Sequence, residues 1–288
     1  GTPFDSKPYQ LFGTLNWLDR VGHSAFHRWS ELYWQKGGYT GYEIGEFRKD
    51  REGMLWRSLD SIALRRTKAE VASDLPPKIY VGTNLDPRDP KSPVGIWLPM
   101  EDKQAAAYRA MEELAIAELD TGTLEAMSGL AELTRLKQLA CAYGYLEGPE
   151  GYQKFHRSLP SNKFNWIRNN LEEWGFPREP IDKVVIVSFY SGILRAFARG
   201  IDDHFKTKPG KRLCTGITGR TPAHLRPRII DEFNQPDRGP RIMMLNVRAG
   251  GTAITIDSAS RTIFVSETRN PDQQSQAEDR THRVSNPR

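Results

Sequence analysis

From Lys183 onward, short apolar segments alternate with longer segments in which apolar residues recur at helical spacing. The short segments lie at residues 184–187, 213–215, 242–245 and 263–265. Runs this short and this apolar are typical of strands buried on both faces, and amphipathic helices between them can cover those faces. The pattern therefore predicts an α/β fold in which the C-terminal part is a parallel sheet with helices on both sides.

Two helices are predicted within this alternation. The first carries apolar residues at helical spacing: Ile193, Leu194, Phe197, Ile201 and Phe205. The second is expected to begin at Thr221 as the cap, with Pro222 at the first helical position, where the missing N–H of proline costs nothing.

Small and polar residues follow three of the predicted strands. Ser188 comes after the first, residues 218–220 after the second and residues 246–251 after the third. In parallel sheets ligands bind beyond the carboxyl ends of the strands, and small residues there let backbone N–H groups approach phosphates. One ligand-binding edge is therefore predicted. For Ser188 alone, an ordinary strand-end serine is an equally simple interpretation.

A polar helix is predicted near the C-terminus. Asn270 is expected to cap it and Pro271 to occupy its first position. Continued helix would place Gln276, Arg280 and Arg283 on one face, at i, i+4 and i+7. Two guanidiniums and an amide suit polyphosphate binding because arginine stays charged and offers a planar fork of donors. A solvated helix end is the alternative.

The preceding part of the chain is predicted to be mainly helical. Helices are expected at residues 26–34 and 54–64, with a glycine-rich loop between them. Two antiparallel helices are predicted around Gly122, over residues 101–119 and 124–139. Residues 147–160 are expected to form a loop. Ser161 is predicted to open a further helix, with Pro177 and Pro180 beyond its end.

Composition limits the class of protein. The 288 residues suffice for about two domains, and the net charge of +5 is compatible with a polyanionic partner, although such an excess is also common without one. Residues 211–228 contain five basic side chains and no acidic ones. Only Cys141 and Cys214 occur, so neither a disulfide framework nor a thiolate metal site is expected. No apolar run is long enough to span a membrane. An intracellular protein is predicted, with cytoplasm and nucleus both left open.

Several motifs together resemble those of the Swi/Snf-type ATPases, which are DNA translocases of helicase superfamily two. Arg248-Ala249-Gly250-Gly251 is similar to motif V, and Gln276-x-x-Asp279-Arg280-x-His282-Arg283 to motif VI. Residues 185–189 are similar to motif IV, and Thr218-Gly219-Arg220 to the stretch after it. Gly1-Thr2-Pro3 resembles the end of motif III. Residues 64–68 and 75–78 resemble the segment that joins the helical protrusion to the body.

The resemblance implies a RecA-like second lobe and a role for each matched residue. Arg280 and Arg283 would be arginine fingers, with Gln276 and Asp279 positioning them or sensing the nucleotide, and Thr2 would couple the lobes. Gly250, Gly251 and Thr252 would face the nucleotide. Contacts to the DNA backbone are implied for Ser188, Thr218, Gly219, Arg220, Asn246, Arg248, Arg65, Arg66 and Lys68. ATP and Mg²⁺ would be bound mainly by a first lobe that precedes this sequence, which is therefore expected to be a fragment.

The sequence departs from the family pattern near motif V. Asn246-Val247 stands where relatives usually have Ser-Thr, residues 252–255 replace a glycine-containing turn and an asparagine, and Arg269 replaces a tryptophan. A phosphate contact from the missing hydroxyl is then either absent or moved to the Asn246 amide. These changes imply a divergent branch of the family.

Three functions remain compatible with the sequence. The first is the C-terminal motor half of a double-stranded DNA translocase, and this chain alone is then expected to be inactive. The second is a non-catalytic nucleic-acid-binding module, and the third is a strand-separating or RNA-directed helicase. The predicted segments are residues 1–100, the end of a first lobe with protrusion and linker; 101–180, a helical protrusion; and 181–288, the second lobe.

Overall fold

A computed structural model describes residues 8–38, 43–60, 62–64, 68–72, 74–84, 88, 92, 94–149, 154–177, 183–206, 212–235, 238–249, 254–266 and 271–282. The chain divides into two compact units, residues 1–75 and 76–288. The predicted boundaries at residues 100 and 180 fall inside the second unit. The three-segment division stays a prediction.

The first unit is built around aromatic side chains. Its elements are α1 (Leu11–Leu18), α2 (Phe26–Tyr33), β1 (Trp34–Gly37), β2 (Glu43–Phe47), α3 (Glu52–Asp60) and α4 (Lys68–Val71). Trp29 and Trp34 lie with ring centroids 5.1 Å apart, and Leu15 and Leu55 are buried around them. Strands β1 and β2 form an antiparallel hairpin in which Gly37 pairs with Glu43. Most of the predicted glycine loop, residues 39–42, lies outside the described residues.

The second unit begins with small hairpins and helices that lead to the main sheet. These elements are β3 (Thr83–Asn84), β4 (Val94–Gly95), α5 (Asp102–Leu114), β5 (Ile116–Leu119), β6 (Gly122–Glu125), α6 (Gly129–Leu139), β7 (Tyr145–Glu147), β8 (Lys154–His156) and α7 (Asn162–Glu173). The Ser161 side chain accepts a hydrogen bond from the Phe164 amide, so the predicted start of α7 is confirmed.

The prediction of two long helices around Gly122 is wrong at their inner ends, where each helix is about five residues shorter than predicted. Helix α5 ends at Leu114, and Ala115 takes a left-handed conformation with φ of 56°. The chain then forms the β5–β6 hairpin, in which Leu119 pairs with Gly122. Ala117, Leu119 and Leu124 are buried while the residues between them face outward, as in a strand. Residues 145–156 likewise contain a hairpin where a loop was predicted.

The C-terminal part is a four-stranded parallel sheet in the order β10-β11-β9-β12, which confirms the predicted α/β fold class and RecA-like lobe. Its elements are β9 (Lys183–Ser188), α8 (Ser191–His204), β10 (Cys214–Ile217), α9 (Arg226–Asn234), β11 (Ile242–Asn246), β12 (Ala259–Phe264) and α10 (Pro271–Glu278). The second predicted helix therefore begins at Arg226, after a 3₁₀ turn, and Thr221 does not cap it.

Both faces of the sheet are buried, as the apolar strands predicted. Val184 and Ile186 face α7 and α8, where Phe164 and Phe197 make an edge-to-face contact at 5.4 Å. Val185 and Val187 face the opposite way, towards Phe233 of α9. Successive strand residues alternate between faces, so each apolar strand supplies two cores. The sheet thus holds the four strand ends in fixed positions.

Candidate functional site

The carboxyl ends of the four parallel strands meet along one edge, and Ser188 closes the first of them. Its side chain has no exposed surface. Its hydroxyl lies 3.1 Å from that of Ser266, beyond β12, and accepts a hydrogen bond from the Tyr190 amide at 3.1 Å. Ser188 therefore ties the loop after β9 to the loop after β12.

Asn246 performs a similar role at the end of β11, where its side chain is 5% exposed. Its Nδ2 donates to the carbonyl oxygens of Ser188 and Phe189, at 3.2 and 2.8 Å. Its Oδ1 accepts from the Ala249 amide at 3.3 Å. A buried amide with these three bonds is satisfied by the protein itself.

The direct DNA contacts of Ser188 and Asn246 stay a prediction, and the internal bonds of both side chains favour a supporting role. Both side chains are buried, and their polar atoms bond to neighbouring loops. A phosphate could reach them only by displacing these bonds, which would leave buried donors and acceptors without partners. In the supporting role, the two residues position the exposed loops around them.

The loop after β10 is exposed. The Thr218 amide donates to Thr221 Oγ1 at 3.0 Å, and the Arg220 amide donates to Thr218 Oγ1 at 3.3 Å. No heavy atom outside its chain neighbours lies within 4 Å of where a Gly219 side chain would begin. These bonds shape a tight turn that presents Gly219 and the Arg220 side chain to solvent.

Arg226, which was not among the predicted site residues, connects two of the edge loops. Its Nε donates to the Thr221 carbonyl and its Nη1 to the Ala249 carbonyl, both at 3.2 Å. The sequence showed Arg226 only as one member of a basic stretch. Nothing in the sequence around Arg226 indicates that its side chain bonds to Ala249, which lies 23 residues further along the chain.

Arg248 is the second exposed arginine of the edge. Its guanidinium carbon lies 5.9 Å from the centre of the Phe189 ring, within the range of a cation–π contact. Arg220 and Arg248 therefore present positive charge from the loops after β10 and β11. Exposed guanidinium groups of this kind suit binding of phosphate oxygens.

The C-terminal segment differs from the prediction in one respect. Helix α10 ends at Glu278, so Arg280 does not share a helix face with Gln276. Arg280 is 9% exposed, and its Nη1 donates to the Ile254 carbonyl at 3.3 Å. Its own carbonyl accepts from the Ile256 amide at 3.2 Å. An arginine finger must reach outward to a phosphate, so these contacts favour a positioning role for Arg280.

Two carboxylates of this segment bind Lys78, which was not among the predicted site residues. Its ammonium group lies 3.0 Å from a carboxylate oxygen of Glu278 and 3.0 Å from one of Asp279. Partial burial would lower the pKa of Lys78, but hydrogen bonds to Asp279 and Glu278 outweigh that effect and raise it. Tyr80 also donates to Glu278, at 2.9 Å. Residues 76–80 therefore hold the turn that carries Arg280.

Residues 162–285 match the profile of the helicase conserved C-terminal domain. The chain is also 27% identical, over 99% of its length, to a Caenorhabditis elegans homologue of SWI/SNF-related matrix-associated actin-dependent regulator of chromatin subfamily A-like protein 1. This chain contains a Swi/Snf-type helicase C-terminal lobe. The match covers 35% of the nematode protein.

Other proteins similar to the Swi/Snf-type lobe come from fungi, bacteria and archaea. The Saccharomyces cerevisiae ISWI chromatin-remodeling complex ATPase ISW2 is 27% identical over 99% of the chain and 24% of its own length. Zorya protein ZorD of Escherichia coli is 28% identical over 77% of the chain and 19% of its own length. The Sulfolobus solfataricus SWI2/SNF2 ATPase core domain aligns with a TM-score of 0.48 at 22% identity, covering all of this chain and 53% of that one. The chain thus spans about a third or less of these curated relatives.

Several predicted site residues of the Swi/Snf-type lobe lie outside the described residues: Gly250, Gly251, Thr252, Arg283, Arg65, Arg66 and Thr2. Lys68 begins α4, but its side chain is not described, and Gln276 is half-buried in α10.

Ala249 and Ile254, which flank the Gly250–Ala253 segment, are both buried in the core. Their carbonyl groups accept hydrogen bonds from Arg226 and Arg280, respectively.

Within the described ranges, no group of three or more His, Cys, Asp or Glu side chains could hold a metal ion. None of the described helices is long and apolar enough to cross a membrane.

Replacing Lys78 with methionine is expected to loosen the turn after α10. Methionine keeps the volume of the aliphatic stem, but Glu278 and Asp279 lose their shared cation. The free energy that holds the turn closed is expected to fall by about 1 kcal/mol, a small value because these ion pairs are partly exposed. Amides of residues 279–282 should then exchange about fivefold faster, as measured by hydrogen exchange. Lys103→Met, which removes an exposed ion pair with Asp120, is the matched control and should leave these amides unchanged.

Proposed function

We propose that this lobe is the C-terminal motor half of an ATP-dependent double-stranded DNA translocase of the Swi/Snf type. The observation that carries the proposal is the match to the helicase C-terminal domain on a parallel sheet with strand-end loops along one edge. A first ATPase lobe would bind most of the ATP. That lobe would also supply most of the protein ligands for Mg²⁺.

In this proposal the edge loops grip the phosphate backbone of duplex DNA. Arg220 and Arg248 are exposed, and Gly219 leaves room for a phosphate close to the backbone. Contacts of this kind position a protein on DNA without reading the bases, as movement along any sequence requires. The loops that contact DNA are held in place by hydrogen bonds from Ser188, Asn246 and Arg226.

The nucleotide side of the proposal assigns different tasks to the motif VI residues. Arg283 is the arginine finger, which stabilises charge on the transferring phosphoryl group when the lobes close. Arg280 positions the turn through the Ile254 carbonyl, and Asp279 is fixed by Lys78. Gln276 and the Gly250–Thr252 segment are assigned to the nucleotide-facing surface. This chain's own contribution to hydrolysis is thus a positive charge held at a defined place.

The double variant Arg220→Gln, Arg248→Gln tests the DNA grip. Affinity for a short duplex, measured by fluorescence anisotropy across a salt series from about 50 to 200 mM, should fall. The slope of log affinity against log salt should become shallower by about 0.9 for each phosphate that the variant no longer neutralises. Arg199→Gln removes an exposed charge from α8 and is the control. Equal affinities for all three proteins would argue against this edge as the DNA site.

Two assays separate the proposal from its alternatives. When joined to the first ATPase lobe, the chain should support DNA-stimulated ATP hydrolysis and displace a third strand from a DNA triplex. A non-catalytic binding module would hold DNA without either activity. A strand-separating helicase would unwind the duplex itself, which the proposed translocase should not do.

A further inference from the structure

Three arginines from separate elements lie close enough to interact electrostatically, and one of them, Arg157, lies against the start of α8. They are Arg135 in α6, Arg157 just after β8, and Arg195 in α8. Among the described residues, no carboxylate lies within ion-pair distance of any of them. Like charges held together without a counterion cost free energy. We call this group the α8 arginine cluster.

Arg157 is the most enclosed member of the cluster. Its guanidinium carbon lies 4.8 Å from the centre of the Tyr190 ring, and its Nε is buried without a hydrogen-bond partner in the described part of the chain. Burial lowers the pKa of Arg157, and the charges of Arg135 and Arg195 lower it further. An unsatisfied, charged donor of this kind is stabilised by an anion.

The start of α8 adds further donors at the same place. Tyr190, the N-cap residue, supplies no side-chain cap, and the amides of Ser191 and Gly192 have no acceptor among the described residues. A side chain at Gly192 would begin 3.7 Å from Arg157 Nε, so the guanidinium lies against this first turn. The positive end of the helix dipole therefore points into the arginine cluster.

The arginine cluster lies beside the loop after β9, which belongs to the same strand-end edge. Arg248 lies over Phe189, and Arg157 lies over the next residue, Tyr190. The two rings pack against opposite faces of the sheet, so the guanidinium groups lie on the two sides of this loop. A duplex that crosses the strand ends would present phosphates to both sides of this loop, whereas a free nucleotide would not need both sides.

We propose that Arg135, Arg157 and Arg195 bind a backbone phosphate of duplex DNA and extend the DNA-binding surface from the sheet edge onto α6. The inference rests on the proposed function. The site adds one phosphate contact outside the strand-end loops, and Arg157 is its central donor.

Arg157→Gln tests the inference in the whole chain. Duplex affinity should fall about threefold to tenfold near 100 mM salt, and the salt slope should become shallower by about one. Arg199→Gln, one helical turn beyond Arg195 on the same helix, is the matched control and should change neither value. A thermal melt checks that Arg157→Gln still folds. If it does not, Arg195→Gln, which changes an exposed side chain, replaces it in the same titration.

The outcomes separate the inference from the proposed function. If the edge variants weaken duplex binding but Arg157→Gln behaves like Arg199→Gln, the arginine cluster is not a DNA site and the proposed function stands. If the unaltered chain binds no duplex, the proposed function fails first. Titration with inorganic phosphate and with single-stranded RNA distinguishes other sources of phosphate. Weaker binding confined to either of these probes would overturn the inference.

Discussion

Replacing Arg283 with alanine is expected to reduce ATP turnover by roughly three to five orders of magnitude when the chain is joined to its first ATPase lobe. An arginine finger acts on charge that develops only in the transition state, so kcat should fall much more than the affinity for ATP. Steady-state hydrolysis with saturating duplex DNA measures the effect. The free energy of unfolding should be unchanged.

Two comparisons make this result specific. Arg199→Ala, which removes an exposed arginine far from motif VI in sequence, should keep full turnover. Arg280→Ala should lower both turnover and the stability of the turn that it holds, because its guanidinium bonds to the Ile254 carbonyl. Near-normal turnover in Arg283→Ala would eliminate the finger assignment. Reduced turnover in Arg280→Ala with no change in stability would show that Arg280 acts on the nucleotide directly.

Replacing Asn246 with aspartate should destabilise the lobe by about 3–5 kcal/mol at neutral pH. The change is almost isosteric, but it places a carboxylate oxygen where Nδ2 now donates to the Ser188 and Phe189 carbonyl groups. A buried charge would then face two acceptors instead of binding them. Urea unfolding followed by circular dichroism measures the change in the free energy of unfolding.

The pH dependence and an exposed control complete this test. As the pH falls from 7 towards the ordinary carboxyl pKa of about 4, the deficit should shrink, because burial raises the pKa of this carboxyl and its protonated form can donate again to one of the two carbonyls. Asn169→Asp makes the same chemical change at an exposed position that accepts bonds from Arg168, and it should leave stability nearly unchanged. Equal stability of the two variants would mean that the Asn246 contacts do not hold the edge together.

The sheet could be predicted from sequence because its signal is local. Residues 184–187 are apolar at every position, which predicts a buried strand. Ser161 followed by apolar residues at helical spacing predicts the start of α7. The β5–β6 hairpin could not be predicted in this way. Leu119 and Leu124 continue the helical spacing of the residues before and after them, and the strand period of two is visible only once the hairpin is paired.

The site was only partly predictable for a related reason. The strand-end loops follow from the parallel sheet, so their positions were anticipated. Whether a side chain faces solvent or a neighbouring carbonyl depends on contacts between distant segments. Lys78 and Glu278 are 200 residues apart, and nothing local indicates that they meet. The burial of Arg280 and the bridging role of Arg226 have the same origin.

The two carbonyl groups that flank the Gly250–Ala253 segment have a mechanical consequence. Ala249 is linked through one guanidinium to Thr221 on the proposed DNA side, and Ile254 is linked through another to the turn of motif VI. A shift of the loop at Thr221 would therefore act on Ala249, and a shift of the motif VI turn would act on Ile254, at the other end of the Gly250–Ala253 segment. In the proposed translocase, DNA binding near Thr221 and nucleotide binding near motif VI would therefore be coupled through the carbonyl groups of Ala249 and Ile254.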